Sequence, residues 1–201
     1  MSASAPKLPP AATLADLLAL PADERQRYEL IEGALVERGA ASGSHGSVQF
    51  NLSNAMGPFA RRPGGRWPGG WWFGTEVDVN FDADNTLRPD VCGWRRERVP
   101  EAPKDLPVMV LPDWVCEILS TNRRNDLIRK KRVYHRHAVP HYWIIDPVEE
   151  SLSVLRWTPE GYFEILAAER GEVVHAKPFD ALPLRVGVLF GDEEEEGPAV
   201  P

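Results

Sequence analysis

The first sixty residues place their apolar side chains mostly at helical spacing. Residues 13–20 predict a short helix, and residues 21–32 predict a second helix that Gly33 ends. Residues 34–38 predict a strand. In residues 41–60 the apolar positions recur three or four apart, which is typical of a helix that packs on a core.

After a Pro- and Gly-rich loop at 61–70, the pattern changes to that of strands. Apolar residues alternate through 71–81, and residues 87–94 follow across a turn as the second strand of a hairpin. Residues 113–119 are apolar on both faces except at Glu117, which is typical of a central strand.

The remaining pattern completes a mixed sheet. Residues 122–138 predict a basic helix, residues 141–147 a strand, and residues 151–157 and 161–168 a hairpin. Helices followed by a central mixed β-sheet that one helix crosses predict an α/β (α+β) fold.

Length and composition predict one globular domain. A chain of 201 residues with 43% apolar residues can bury a single core, which we assign to residues 13–190. Residues 1–12 are predicted to be a flexible arm, and residues 191–201 an acidic disordered tail. No apolar run is long enough to span a membrane and no secretory signal is visible, so we expect a cytoplasmic location and no membrane partner.

The net charge of −7 argues against nucleic-acid binding, because a protein that contacts many phosphates usually carries a basic face. Five of the acids form one run at 192–196, and without them 23 Lys and Arg stand against 25 Asp and Glu. The body of the chain is therefore only mildly acidic. It contains basic clusters within 61–66, 95–98 and 123–132.

Two carboxylates are candidates for chemistry. Glu117 lies in an apolar strand, where an unpaired carboxylate costs several kcal/mol of desolvation unless a cation or hydrogen bonds stabilise it. Asp90 follows a proline at the start of another strand. Each has a structural alternative, since Glu117 can be a partnered core glutamate and Asp90 a turn former. If the two converge, Cys92 and Cys116 lie on opposite sides of the sheet and cannot form a disulfide.

The basic helix offers a lysine. Asp126, Lys130 and Tyr134 are four residues apart and therefore share one helix face, whereas Lys131 is rotated away by about 100°. The alternative is a surface ion pair between Asp126 and Lys130.

Together these residues suit phosphodiester hydrolysis. Mg²⁺, or Mn²⁺ in its place, prefers oxygen ligands, stabilises charge on a phosphate and generates a nucleophilic hydroxide. Asp90, Glu117 and the main-chain carbonyl of Ile118 could hold such an ion. Lys130 could orient the attacking water.

The chain resembles the Uma-two family of endonucleases, a branch of the PD-(D/E)xK superfamily with a restriction-endonuclease-like core. Five segments carry the resemblance in the expected order, namely YELIEGALVE at 28–37, NTLRPDV at 85–91, DWVCEILS at 113–120, DLIRKKRVY at 126–134 and VPHYWIIDP at 139–147. A shorter match is SHG at 44–46. The resemblance implies a central mixed β-sheet flanked by helices and a DNA-cleaving activity.

The resemblance also implies roles for single residues. It places the PD aspartate on Asp90 and the following acid on Glu117, but Leu119 stands where the lysine of the motif belongs. A related pattern moves that lysine to the next helix, where Lys130 matches it. The early-helix glutamate of the superfamily matches Glu29, which could otherwise be an exposed acid at a helix end.

His45 matches a histidine of the family at the start of a long helix, although a capping or surface histidine is the alternative. Three functions compete. The first is an active DNA endonuclease that uses Mg²⁺. The second is a nuclease fold with weak or no catalysis that binds nucleic acid or a protein partner, and the third is a structural protein. A homodimer would suit an enzyme that cuts both strands.

Overall fold

A computed structural model describes residues 11–120 and 123–193. Most of the predicted arm at 1–12, most of the predicted tail at 191–201 and the first residue of the predicted basic helix lie outside the described residues. Within the described ranges, no helix is long and apolar enough to cross a membrane.

The described chain forms short helices around three sheets. The helices are α1 (Leu14–Ala19), α2 (Ala22–Arg25), α3 (Gly43–Ala55), α4 (Lys131–Arg136) and α5 (Val186–Leu189), and a π-helical segment, Asn125–Lys130, leads into α4. The strands are β1 (Tyr28–Ile31), β2 (Ala34–Glu37), β3 (Trp71–Thr75), β4 (Val79–Asp82), β5 (Asn85–Leu87), β6 (Val91–Arg95), β7 (Trp114–Ile118), β8 (His141–Asp146), β9 (Ser151–Thr158), β10 (Gly161–Glu169), β11 (Val173–Val174) and β12 (Leu184–Arg185).

A six-stranded sheet in the order β10-β9-β8-β7-β6-β3 forms the centre. Strands β7 and β8 are parallel, and the other neighbouring pairs of this sheet are antiparallel. The π-helical segment and α4 connect the two parallel strands, which need such a crossover. The predicted mixed α+β fold is confirmed, as are the helix within 41–60 and the hairpin of β9 and β10.

The two faces of this sheet bury separate cores because side chains alternate along each strand. One core contains Cys116, Trp114 and Trp143 of the sheet with Val48 and Leu52 of α3. The other core, on the face of Glu117, is formed by residues such as Cys92, Val115, Val133, Tyr134 and Tyr142. Both cysteines are free and buried, and they lie in different cores as the strand parity predicted.

A second sheet has the strand order β2-β1-β5-β4, and it includes a strand where the sequence predicted a helix. The predicted helix over 21–32 is wrong, because only Ala22–Arg25 is helical and Tyr28–Ile31 forms β1. Glycine after an apolar run is typical of both a helix end and a hairpin turn. Here Gly33, with φ of 71°, turns β1 into β2, and Ile31 pairs with Ala34.

The predicted hairpin of 71–81 with 87–94 is correct only in part. Each segment divides into two strands, so that β4 pairs with β5 in the second sheet while β3 pairs with β6 in the six-stranded sheet. The chain leaves β3 at Glu76, whose φ is 55°. Asp90 lies in the short connection between β5 and β6.

A buried ion pair joins the connection between β3 and β4 to the connection between β5 and β6. The guanidinium of Arg88 donates to both carboxylate oxygens of Asp78 at 2.7 and 2.8 Å and to the carbonyl of Gln26 at 2.8 Å. Arg88 and Asp78 are each 7% exposed. Two charges in such an environment require each other, because either one alone would be buried without compensation.

We expect Asp78→Ala to lower the free energy of unfolding by about 3–5 kcal/mol, since it leaves Arg88 buried and unpaired. Denaturant unfolding followed by circular dichroism measures the change. Glu37→Ala is the matched control, because the Arg27–Glu37 pair is exposed and should contribute far less. Equal losses for the two variants would contradict the importance of the buried pair.

Candidate active site

Asp90 and Glu117 meet where β6 begins and β7 ends. The two strands are antiparallel, with Val91 opposite Cys116, so Asp90 and Glu117 lie at the same end of the sheet. Asp90 Oδ2 accepts a hydrogen bond of 2.6 Å from the backbone N–H of Ile118. Both carboxylates are buried and both line one cavity, as the sequence predicted.

Two side chains of the crossover helix hold the carboxylate of Glu117. Tyr134 donates its hydroxyl to Oε1 at 2.5 Å, and Lys130 donates its ammonium to Oε2 at 3.0 Å. Lys130 also contacts Asp126 at 3.4 Å. The predicted common face of Asp126, Lys130 and Tyr134 is therefore confirmed, and it faces the core instead of solvent.

Lys130 and Lys131 differ as the helix geometry predicted. Lys130 is 4% exposed at the end of the π-helical segment, a local widening that is frequent at functional sites. Lys131 is partly exposed and lines a separate shallow groove. The position two residues after Glu117 is taken by Leu119, which is buried.

Glu29 reaches the same cluster from β1. Its Oε1 lies 3.1 Å from the ammonium of Lys130 and accepts a hydrogen bond of 2.7 Å from the backbone N–H of Arg88. The side chain is 3% exposed. The alternative of an exposed helix-end acid is therefore wrong, since Glu29 is a buried strand residue.

On the other side of Asp90 lie residues that the sequence reasoning largely missed. His45 Nε2 is 3.2 Å from Asp90 Oδ1, and the ring is buried, so the alternative of a surface histidine is wrong. Arg38 lies 2.6 Å from Glu76 and 3.7 Å from Asp90. Arg38 and Glu76 follow unremarkable strand patterns, and no spacing in the sequence links them to Asp90.

The electrostatics differ between the two sides of the cavity. Burial raises the pKa of Glu117 well above its ordinary range; Lys130 acts to lower this pKa, and the neighbouring acids Asp90, Asp126 and Glu29 act to raise it further. Burial acts to lower the pKa of Lys130, but the acids around it, Glu117 foremost, raise that pKa well above its usual value.

Asp90 and His45 stabilise each other's charged forms. Burial acts to raise the pKa of Asp90, but the hydrogen bond from His45, the charge of Lys130 and the N–H of Ile118 lower it below its ordinary value. The hydrogen bond to Asp90 in turn raises the pKa of His45. These contacts stabilise the ionised form of Asp90.

The cavity has a volume of about 240 Å³ and an excess of acids. Its charged lining comprises Glu29, Glu76, Asp90, Glu117 and Asp126 against Arg38 and Lys130. Ile118 and His45 also line it. If all five carboxylates are ionised and histidine is neutral, the two cations leave a formal charge of −3. The raised pKa values of Glu117 and Asp126 make the cavity less negative than this, and a bound multivalent cation would stabilise their ionised forms.

The basic clusters do not all surround this cavity. Arg95 lies at the far end of β6, roughly 16 Å from Asp90 at about 3.3 Å per residue. In the crossover, Arg123 pairs with Asp146 at 2.5 Å and Arg129 donates to the carbonyl of Ile31 at 2.9 Å. Exposed cations remain at Arg124 and Arg132.

Asp126 provides a test of the cluster through pH. Burial raises its pKa from 3.8 to about 6, so its contribution to stability is present in full below about 3.8 and is lost as the pH rises through 6. Asp126→Asn has no such titration. We therefore expect the variant to gain roughly 1–3 kcal/mol relative to the parent between pH 4 and pH 7.5. Urea unfolding at the two pH values measures this, and an unchanged difference would contradict the burial of an ionisable Asp126.

Comparisons with known proteins agree with the geometry. The model of the Uma2 family, described as "Putative restriction endonuclease", matches residues 14–186. A solved structure described as a "putative nuclease belonging to DUF820", from Anabaena variabilis ATCC 29413, is similar with a TM-score of 0.68 and 24% sequence identity. The match covers 89% of this chain and 97% of that one, and at this identity it shows the fold. No curated protein matches the chain. Because the family model covers most of the sequence, the chain belongs to the Uma2 family of restriction-endonuclease-like proteins.

Proposed function

We propose that this protein is a metal-dependent endonuclease that hydrolyses phosphodiester bonds in DNA. The observation that carries the proposal is the convergence of Asp90, Glu117 and Lys130 on one cavity, with the ammonium of Lys130 3.0 Å from Glu117. Family membership supports a nuclease, and the geometry supports these three residues as its reactive groups.

The donor set suits Mg²⁺, with Mn²⁺ as a substitute. Asp90 and Glu117 supply carboxylate oxygens, and the main-chain carbonyl of Ile118 is the proposed third ligand from the protein. Each carboxylate oxygen has two lone pairs, so the hydrogen bonds from Ile118 N–H, Tyr134 and Lys130 leave acceptor sites available. The ion would polarise a phosphate oxygen and lower the pKa of a bound water.

Lys130 is proposed to hold the attacking water and to stabilise charge that develops on the phosphate. Its ammonium can donate three hydrogen bonds, and Glu29, Glu117 and Asp126 lie within 3.4 Å of it. Three carboxylates fix the position of the ammonium, and one of these contacts, the longest being that to Asp126 at 3.4 Å, would give way when the ammonium donates to the water. Glu29 therefore contributes as a positioning residue for Lys130.

DNA is the proposed substrate, and the exposed cations Arg124 and Arg132 of the crossover are the proposed phosphate contacts; Arg132 lines the separate groove of Lys131. The pairs of Arg123 with Asp146 and of Arg129 with Ile31 reduce the role that the sequence suggested for those two residues. Homodimerisation remains a prediction, based on the need of an endonuclease to cut both strands.

A second candidate is a nuclease fold that binds nucleic acid or a protein partner without turnover. Both oxygens of Glu117 already accept hydrogen bonds, from Tyr134 and Lys130, so this carboxylate has protein partners without a metal. Leu119 in the usual lysine position also favours a fold that binds without turnover. The two candidates differ in whether the chain cleaves nucleic acid at all.

We expect the purified chain to cleave DNA with Mg²⁺ or Mn²⁺ and not with a chelator. Single-stranded, duplex and branched DNA, assayed beside RNA, identify the substrate. Asp90→Asn should reduce the rate at least about 100-fold, since it removes charge from the proposed metal ligand. Glu97→Gln, a change at an exposed position outside the cavity, is the control. Cleavage that survives Asp90→Asn, or no cleavage by the parent on any of these substrates, would refute the proposal.

Lys130→Met should lower the cleavage rate by a factor of about 100 or more, because it removes the cation beside the attacking water. Lys131→Met, a matched change on the next residue, should alter affinity for DNA and leave the maximal rate nearly unchanged. Rates are compared under conditions where circular dichroism shows both variants folded. Equal rates for Lys130→Met and the parent would exclude Lys130 from the reaction.

A further inference from the structure

Asp90 presents its two oxygens to different partners. Oδ2 accepts from the N–H of Ile118, while Oδ1 lies 3.2 Å from His45 Nε2. Glu76 comes close on this second side, and one ligand atom each from His45, Glu76 and Asp90 lies within 4.8 Å of the others. This group of three lines the same cavity as the Lys130 cluster, but neither Glu117 nor Lys130 belongs to it.

The spacing within the group suits metal coordination. Two ligands at right angles on one ion, with bonds of about 2.0–2.2 Å, lie about 3 Å apart. The 3.2 Å between His45 Nε2 and Asp90 Oδ1 matches that value. The ligand atom of Glu76 lies within 4.8 Å of those of His45 and Asp90, so a small inward movement of the Glu76 side chain, which is 38% exposed, would bring it into coordination distance.

The three ligands come from separate elements that are held independently. His45 lies in the first turn of α3, where the hydroxyl of Ser42 accepts from its backbone N–H at 3.2 Å. Gln49, one turn later, donates to the carbonyl of Asp90 at 2.8 Å and to Glu76 Oε1 at 3.2 Å. The side-chain amide of Gln49 thus joins the segments that carry the two carboxylates.

His45 itself shows an unsatisfied polar atom. Its ring is 94% buried, since the residue is 6% exposed, and Nδ1 has no hydrogen-bond partner among the described residues. Nε2, 3.2 Å from Asp90 Oδ1, is the ring atom placed to bind a metal, and to do so it must lose its proton, so that the neutral ring carries its proton on Nδ1. A buried imidazole beside two carboxylates is a donor set for a transition metal.

Arg38 is the competing cation, since its guanidinium lies 2.6 Å from Glu76 and 3.7 Å from Asp90. One guanidinium offsets one of the two carboxylates of the group. The acids around Lys130 leave the rest of the cavity negative as well, with a formal charge of −3 over its whole lining. A divalent ion on the His45 side is therefore compatible with Arg38 remaining on the outer oxygen of Glu76.

We propose that His45, Glu76 and Asp90 form a second divalent-cation site in the same cavity, which favours Mn²⁺ over Mg²⁺ because one ligand is an imidazole nitrogen. Nitrogen ligands suit transition metals, whereas Mg²⁺ prefers oxygen alone. The second site would add a second ion to the proposed nuclease. It rests on that proposed function only because its ion would share Asp90 with the ion at Glu117. Two ions on one carboxylate are a known arrangement for displacement at phosphorus.

Pulsed electron paramagnetic resonance of Mn²⁺ bound to the full chain tests the site directly. A coordinated imidazole couples its ¹⁴N nucleus to the manganese, and carboxylates do not. We expect ¹⁴N modulation in the parent and its loss in His45→Gln. His137→Gln is the matched control, because His137 also faces a carboxylate, that of Asp82 at 2.7 Å, but lies outside the cavity. Modulation should persist in this control.

Glu76→Gln provides a second variant at a half-exposed position where folding is not at risk. In a titration, Glu76→Gln should weaken the affinity of this site for Mn²⁺ at least about tenfold, and His45→Gln should weaken it to a similar extent. Absence of ¹⁴N modulation in the parent, its persistence in His45→Gln, or no Mn²⁺ binding at all would overturn the second site.

The outcomes separate this site from the proposed function. Nitrogen-coupled Mn²⁺ without cleavage of any nucleic acid supports the site and refutes the nuclease. Metal-dependent cleavage with manganese that lacks nitrogen coupling supports the nuclease and refutes the site.

Discussion

The ammonium of Lys130 lies within 3.4 Å of three carboxylates that come from β1, β7 and the crossover helix. All four side chains are buried, so contacts within the protein replace most of their hydration. Desolvating so many charges costs several kcal/mol for each ion unless the geometry compensates. The second sheet, the central strand and the helix must therefore dock together for any of the charges to be stabilised, and the cluster fixes the distance between Glu29 and Glu117.

The antiparallel register of β6 and β7 sets the other half of the site. Val91 of β6 pairs with Cys116 of β7. Asp90, which directly precedes β6, therefore lies beside the end of β7, where it accepts a hydrogen bond from the N–H of Ile118. Since hydrogen bonds of the sheet determine this register, Asp90 needs no long side chain to reach Glu117. The result is a buried carboxylate at Asp90 next to a partly exposed one at Glu76.

The sequence predicted the parts of the site that depend on local periodicity. Asp126, Lys130 and Tyr134 share a face because four residues nearly complete a helical turn, and the lone acid in an apolar strand marked Glu117. Glu29 was assigned to a helix, because an apolar run followed by glycine does not distinguish a helix end from a hairpin. The contact of Arg38 with Glu76 depends on how the end of β2 in one sheet meets the end of β3 in the other, which no local pattern encodes.

The acidic composition is concentrated in two places, and this removes much of its conflict with a nucleic-acid substrate. Five acids form the run at 192–196, and five more line the cavity with two cations. Outside these two groups, 21 Lys and Arg stand against 20 Asp and Glu. The acids of the cavity would be balanced by bound cations, so they need not repel a phosphate that those cations attract. What remains to oppose binding is the acidic run, and screening by salt limits the reach of its field to about 10 Å at 0.1 M ionic strength.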